Sequence, residues 1–153
     1  MIPRLALCLS LCWLPVLLVS CGSQEPLEVK QFTLRDVNKN SSSDLFIQGE
    51  RRKRLYGAIE EKERENRKGQ YYTARWLASP AGGPVTVSFE YQQAATGSVT
   101  RRLEHRRPAA REGVVEFSIA GESYRKGGRV LAWRMQLTQD GRLLGEQKSF
   151  LWE

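Results

Sequence analysis

Four stretches of the chain alternate apolar and polar residues with a period of two. Tyr72, Ala74 and Trp76 alternate with Thr73 and Arg75, and Val85, Val87, Phe89 and Tyr91 with Thr86, Ser88, Glu90 and Gln92. Val115, Phe117 and Ile119 form a third run, and Leu131, Trp133, Met135 and Leu137 a fourth. That period turns one face of a strand into a core and the other into water. The separators are turn chemistry: Ser79 to Pro84 (SPAGGP), Ala95-Thr96-Gly97-Ser98, Lys126-Gly127-Gly128 and Asp140-Gly141. Strands at this spacing, with no helices between them, predict an antiparallel sandwich.

Other segments are less regular. Glu28 to Asp36 alternates Val29, Phe32 and Leu34 imperfectly and reads as an edge-like strand, and Asn38 to Asp44 as a loop. From Glu50 to Gly69 the chain is dense in charge. Glu60–Arg64 and Glu63–Arg67 have helical i,i+4 spacing, and Gly69 sits where a helix C-terminal glycine belongs. A short helix over 59–68 is predicted, preceded by extended Lys53–Ala58. Val99–Arg107 has only Val99 and Leu103 to bury, as an edge strand does. A two-residue Asp140-Gly141 turn of type I′ sets Gln139 opposite Arg142, Leu137 opposite Leu144 and Leu131 opposite Phe150. That register makes Phe150 a core residue. Trp76 and Trp133 are expected in the core, and Trp152 more exposed.

The N-terminus has its own pattern. Arg4 precedes an apolar run from Leu5 to Val19, interrupted by Pro15 and ending in Leu18-Val19-Ser20-Cys21-Gly22. About fifteen apolar residues fall short of the ~20 that span a bilayer core. The run resembles the lipobox leader of bacterial lipoproteins. The resemblance implies cleavage before Cys21, thioether diacylglycerol on its sulfur and an acyl chain (palmitate in kind) on its amine. Gly22, rather than Asp, resembles the pattern sent to the outer membrane. The chain then divides into a signal peptide (1–20), a lipidated Cys21 with its tether (21–28), an N-terminal strand, loop and charged helix (29–69) and a sandwich domain (70–153). Cys8 and Cys12 leave with the leader and Cys21 carries lipid, so the mature chain would hold no disulfide.

Trp76 to Tyr91, with Phe117-Ser118-Ile119, Tyr124, Gly128 and the Val130–Leu137 run, resembles the middle and later strands of fibronectin type III domains. The fold class is accordingly all-β: an antiparallel immunoglobulin-like (fibronectin type III-like) β-sandwich with one short N-terminal helix. The resemblance implies a binding or spacer module. The charged segment before residue 70 departs from that family, and Trp133 stands where a Tyr is expected. The absence of a Cys…Trp…Cys spacing excludes a true immunoglobulin domain.

Composition narrows the chemistry. The chain has 24 basic and 17 acidic side chains, a formal +7. Loss of Arg4 with the leader leaves +6, a balance that favours acidic partners. Two clusters concentrate it: Arg51, Arg52 and Arg54 around Lys53, and Arg101, Arg102, Arg106, Arg107 and Arg111. Guanidinium forks suit phosphate, carboxylate and sulfate, although charge along an edge strand also discourages sheet-to-sheet pairing. His105 is the single histidine, with only Glu104 nearby, and Glu104 points to the opposite strand face. One His without a free Cys cannot build the usual zinc set, and no phosphate-cradling glycine motif occurs. The expectation is therefore a non-catalytic envelope lipoprotein with no cofactor and no metal. It is held to the membrane by acyl chains and binds an envelope protein. The alternatives are a receptor for an anionic glycan or lipopolysaccharide, bound through the Arg clusters, and, third, an enzyme of unrecognised type. Nucleic acid is not an expected partner, because no recognition motif is present.

Overall fold

The computed structural model describes residues 25–35 and 43–152. Cys21, the leader and most of the expected 38–44 loop lie outside the described residues. β1 (Leu27–Leu34), β2 (Gly69–Leu77) and β5 (Glu112–Ala120) form one antiparallel sheet in the order β1-β2-β5. β3 (Val85–Gln93), β4 (Thr100–Arg107), β6 (Val130–Gln139) and β7 (Arg142–Lys148) form a second, in the order β4-β3-β6-β7. The two sheets make a β-sandwich. Its core is filled from the predicted faces: Tyr72, Ala74 and Trp76 with Val115, Phe117 and Ile119 on one side, and Val85, Val87, Phe89, Met135 and Leu137 on the other. Phe89 is central, with its ring centroid 4.6 Å from Tyr72 and 5.2 Å from Phe117. Such tilted and offset contacts suit aromatic quadrupoles.

Three helices are present among the described residues, where one was expected. α1 (Leu45–Leu55) and α2 (Glu61–Asn66) connect β1 to β2, and α3 (Gly121–Gly127) connects β5 to β6. The expected extended run Lys53–Ala58 instead begins inside α1. Asp44 caps that helix by accepting from the Phe46 amide at 2.8 Å, and Arg52, Lys53 and Arg54 end it, where cations oppose the helix dipole. In α2 the Glu63 carboxylate turns back to accept from the Ile59 and Glu60 amides, rather than reaching forward to Arg67. Gly69 does not cap a helix. It opens β2, where an added Cβ would fall 2.3 Å from the Ile119 carbonyl oxygen.

Two bulges overturn the expected register of the C-terminal strands. On β6, Gln92 pairs with Ala132 but Gln93 with Val130, so Leu131 is an extra residue and is turned outward, 39% exposed. The slip lets Val130 bury, with its amide donating to Gln70 Oε1 from the other sheet. At the final hairpin, Asp140 (φ 52°) and Gly141 (φ 75°) have the two positive φ angles of a type I′ turn, and Gln139 faces Arg142 as expected. Leu137 then pairs with Gly145, not Leu144, which becomes the bulged residue. Gly145 lies against the start of β1, where a Cβ would sit 3.2 Å from the Leu27 Cβ. Phe150 is fully exposed, not a core residue. Trp76 is buried as expected, while Trp133 and Trp152 are each half-buried.

Because every pairing is antiparallel, the connections alternate between two poles. Glu25–Pro26, the 78–84 and 108–111 loops and the Asp140-Gly141 turn share the pole where β1 begins. The α1–α2 excursion leaves and rejoins the sheets at the other pole, beside the 94–99 loop, α3 and the chain after β7. Buried glutamines fasten loops at both. The Gln139 amide donates to the Ser79 and Gly83 carbonyls at 2.8 and 2.9 Å and accepts from the Ser79 amide at 3.1 Å. Gln93 donates to the carbonyls of Ser123 and Gly128.

Candidate functional site

The first basic cluster is split by its helix. α1 lies on the outer face of the three-stranded sheet, where Leu55 joins Phe32, Leu34, Tyr71 and Ala120 in a small second core. Arg54 points into this contact and is 6% exposed. It donates to Glu116 on β5 and, at 3.2 Å, to Glu50 one turn earlier, and its guanidinium lies 4.3 Å from the Tyr71 ring centre. Burial pushes the Tyr71 phenol above its ordinary pKa, against the opposing pull of Arg54 and Arg67. Arg54 thus serves to hold the helix, with its charge already met by two carboxylates. Arg52 is exposed and Arg51 half-buried on the same helix.

At its other end α1 presents apolar surface. Leu45, Phe46 and Ile47 are 81%, 63% and 41% exposed, and Tyr56 and Ile59, beyond the helix, are both 82% exposed. Leu45, Phe46 and Ile47 precede the charged segment Glu50 to Gly69 and carry no period that singles them out in the sequence.

The second cluster lies on β4, an edge strand as expected. Arg102 and Glu104 share the outer sheet face, where Arg102 donates to Glu104 and to Glu90 at 3.1 Å. The bond to Glu104 raises the pKa of Arg102 further. Glu90 also accepts from Arg134, whose guanidinium stacks 5.1 Å from the Trp152 ring centre. Arg101 faces the other way and reaches Gln93 Oε1 at 3.4 Å. His105 shares that inward face and is half-buried, with its ring 4.8 Å from Phe117. Arg106, Arg107 and Arg111 are exposed and, among the described residues, have no acidic partner within 4 Å. They stand at the pole where β1 begins, and Arg142, which sequence reasoning did not single out, stands at the same pole. The two clusters therefore occupy different layers of the sandwich.

Tyr72 Oη and Trp76 Nε1 are buried without a hydrogen-bond partner, and burial drives the Tyr72 phenol far above its ordinary pKa. Among the described residues no group of three or more His, Cys, Asp or Glu side chains could hold a metal ion, and no helix is long and apolar enough to cross a membrane. A cleft of about 230 Å³, lined by Glu25, Glu28, Arg75 and Leu77, lies beside the start of β1. Its Arg75 is already engaged with Glu112 at 3.4 Å. No protein-family model matches the chain, and neither a curated protein nor a solved structure is significantly similar to it.

Proposed function

We propose that the chain is a non-catalytic lipoprotein of the cell envelope, anchored through Cys21, whose sandwich binds a partner protein. The observation that carries the binding role is the apolar first turn of α1, with Leu45 and Phe46 more than half exposed. Contiguous exposed apolar side chains on a soluble domain mark interaction surfaces. Splitting of the arginine clusters between layers, with Arg54 buried, favours this role over a single polymer-binding face. The strand order supports a fibronectin type III-like sandwich, with the first, second and fifth strands in one sheet and the other four in the second. The lipobox residues Leu18 to Gly22 support the anchor, and Gly22 supports the outer membrane as its destination.

Two measurements test the reading. Mass spectrometry of the mature N-terminus should find acylated Cys21, lost in Cys21→Ser; an unmodified terminus at another residue refutes the anchor. A photocrosslinking residue at Phe46 should trap one defined envelope protein, and Leu45→Asp should abolish the adduct. Trapping that is equally strong from exposed Thr100 refutes the binding face.

A further inference from the structure

We infer that the pole where β1 begins is an interaction surface for anionic phospholipid headgroups, on which the domain seats itself. The inference rests on the acyl anchor proposed for Cys21. Six residue steps separate Cys21 from Leu27, the first residue of β1. An extended chain spans ~3.3–3.6 Å per residue, so this pole lies within about 20 Å of the anchor. The far pole is the length of a nine-residue strand further on, about 30 Å at the usual rise. The tether therefore dictates which end of the sandwich meets the bilayer.

The side chains at that end suit the contact. Arg106 and Arg107 close β4, Arg111 lies in the following loop, and Arg142 opens β7 on the opposite edge of the sheet; all four are exposed. The acidic groups nearby are already occupied. Glu112 pairs with Arg75, Asp140 accepts from the Gly83 amide at 2.9 Å, Glu28 pairs with Lys30, and Glu25 accepts from Gln147. Edge protection accounts for charge on β4 and for Arg142 on the edge strand β7, but not for Arg111 in a loop. Between the arginines lie exposed Pro80, Ala81, Pro84, Pro108 and Ala109, small residues that let a flat surface approach. Guanidinium groups match phosphate in shape and charge. Near an anionic leaflet each adds attraction that fades within a Debye length of ~8–10 Å, a separation the short tether permits.

Labels report the orientation directly, because the chain has no cysteine after Cys21. The acylated protein carrying a nitroxide at Ala81→Cys (β1-entry pole) or Ser98→Cys (far pole) is reconstituted in nanodiscs containing a nickel-chelating lipid. Phosphatidylglycerol discs should relax the Ala81 label at least roughly twofold more than the Ser98 label, given poles ~30 Å apart. That excess should shrink in phosphatidylcholine discs, in 0.5 M salt, and when Arg106, Arg107, Arg111 and Arg142 are changed to Gln, with far-ultraviolet circular dichroism unchanged. Equal relaxation at the two labels, or an excess that the four substitutions leave intact, overturns the inference while the anchor stands. An Ala81 signal that responds only to added anionic polysaccharide assigns the arginines to a polymer and also overturns it. Absence of acyl mass on Cys21 removes the anchor and the inference together.

Discussion

Arg54→Ala should detach α1 from the sheet. The side chain is 6% exposed, and its loss removes charge-assisted bonds to Glu116 and Glu50 together with the stacking on Tyr71. Cation–π contacts contribute ~0.5–2 kcal/mol, and hydrogen bonds to charged groups ~1.5–3 kcal/mol. The carboxylates left behind are 35% and 24% exposed. Water can therefore reach them, and the penalty stays below that of a stranded, fully buried charge. The expected cost is about 3 kcal/mol, lowering the melting temperature by roughly 10 °C for a domain of this size. Urea unfolding followed by tryptophan fluorescence measures it, with Arg52→Ala on the same helix expected to stay within ~0.5 kcal/mol of wild type. A double-mutant cycle with Glu116→Gln should give a coupling of about 1–2 kcal/mol, largely retained in 0.5 M salt because a direct contact made by a buried guanidinium is screened little. A coupling under ~0.5 kcal/mol, or equal losses for Arg54→Ala and Arg52→Ala, would refute the idea that this residue anchors the helix.

Gln139→Leu removes three hydrogen bonds to the 79–83 loop; it should cost about 2 kcal/mol and speed exchange of the Ser79 amide. Unaltered exchange there would show that the loop holds itself. Tyr72→Phe deletes a buried hydroxyl without a partner and should stabilise by on the order of 1 kcal/mol at neutral pH. Burial raises the phenol's pKa in the folded chain, so the unfolded chain loses its proton first as pH passes about 10, and wild-type stability falls from there upward. The variant should lack that alkaline loss. Melts at pH 7 and 10.5 decide it, and a variant less stable at both would mean that the hydroxyl is satisfied.

The strands whose alternation is unbroken were legible. β2, β3 and β5 bury the side chains their period names, because each presents an uninterrupted pleat to the core. β6 was legible from Trp133 to Leu137 but not at Leu131, and the pairing of β7 was not, since a bulge resets the phase and leaves no mark in a period-two reading. Gly145, an isolated glycine inside a strand, was the available hint of one. α1 was hidden for a different reason. Its one buried side chain is an arginine and its first-turn apolar residues face out, so no amphipathic stripe announces it. Asp44 before Leu45 was the only signal, a capping residue read as part of a loop. β1 looked irregular because it serves two cores: Leu27 faces the sandwich interior, whereas Phe32 and Leu34 lie under α1. Of the candidate anion-binding residues, the charge of each was legible, but not which would be neutralised. That depended on Glu116 and Glu90, which are distant in sequence.

Residues 101–107 read RRLEHRR, a sequence whose charges are the same in both directions. β4 leaves one side of its backbone without a neighbouring strand. A second copy docking there antiparallel, centred on Glu104, would set Arg101 against Arg107 and Arg102 against Arg106, each twice over. Like charges directly opposite one another destabilise a strand pair, and the central Glu104 would face its own twin. The charge palindrome makes the most symmetric way of joining two such sheets the most repulsive one. Copies confined to one surface, where encounters are frequent and rotation is restricted, would keep their sheets separate.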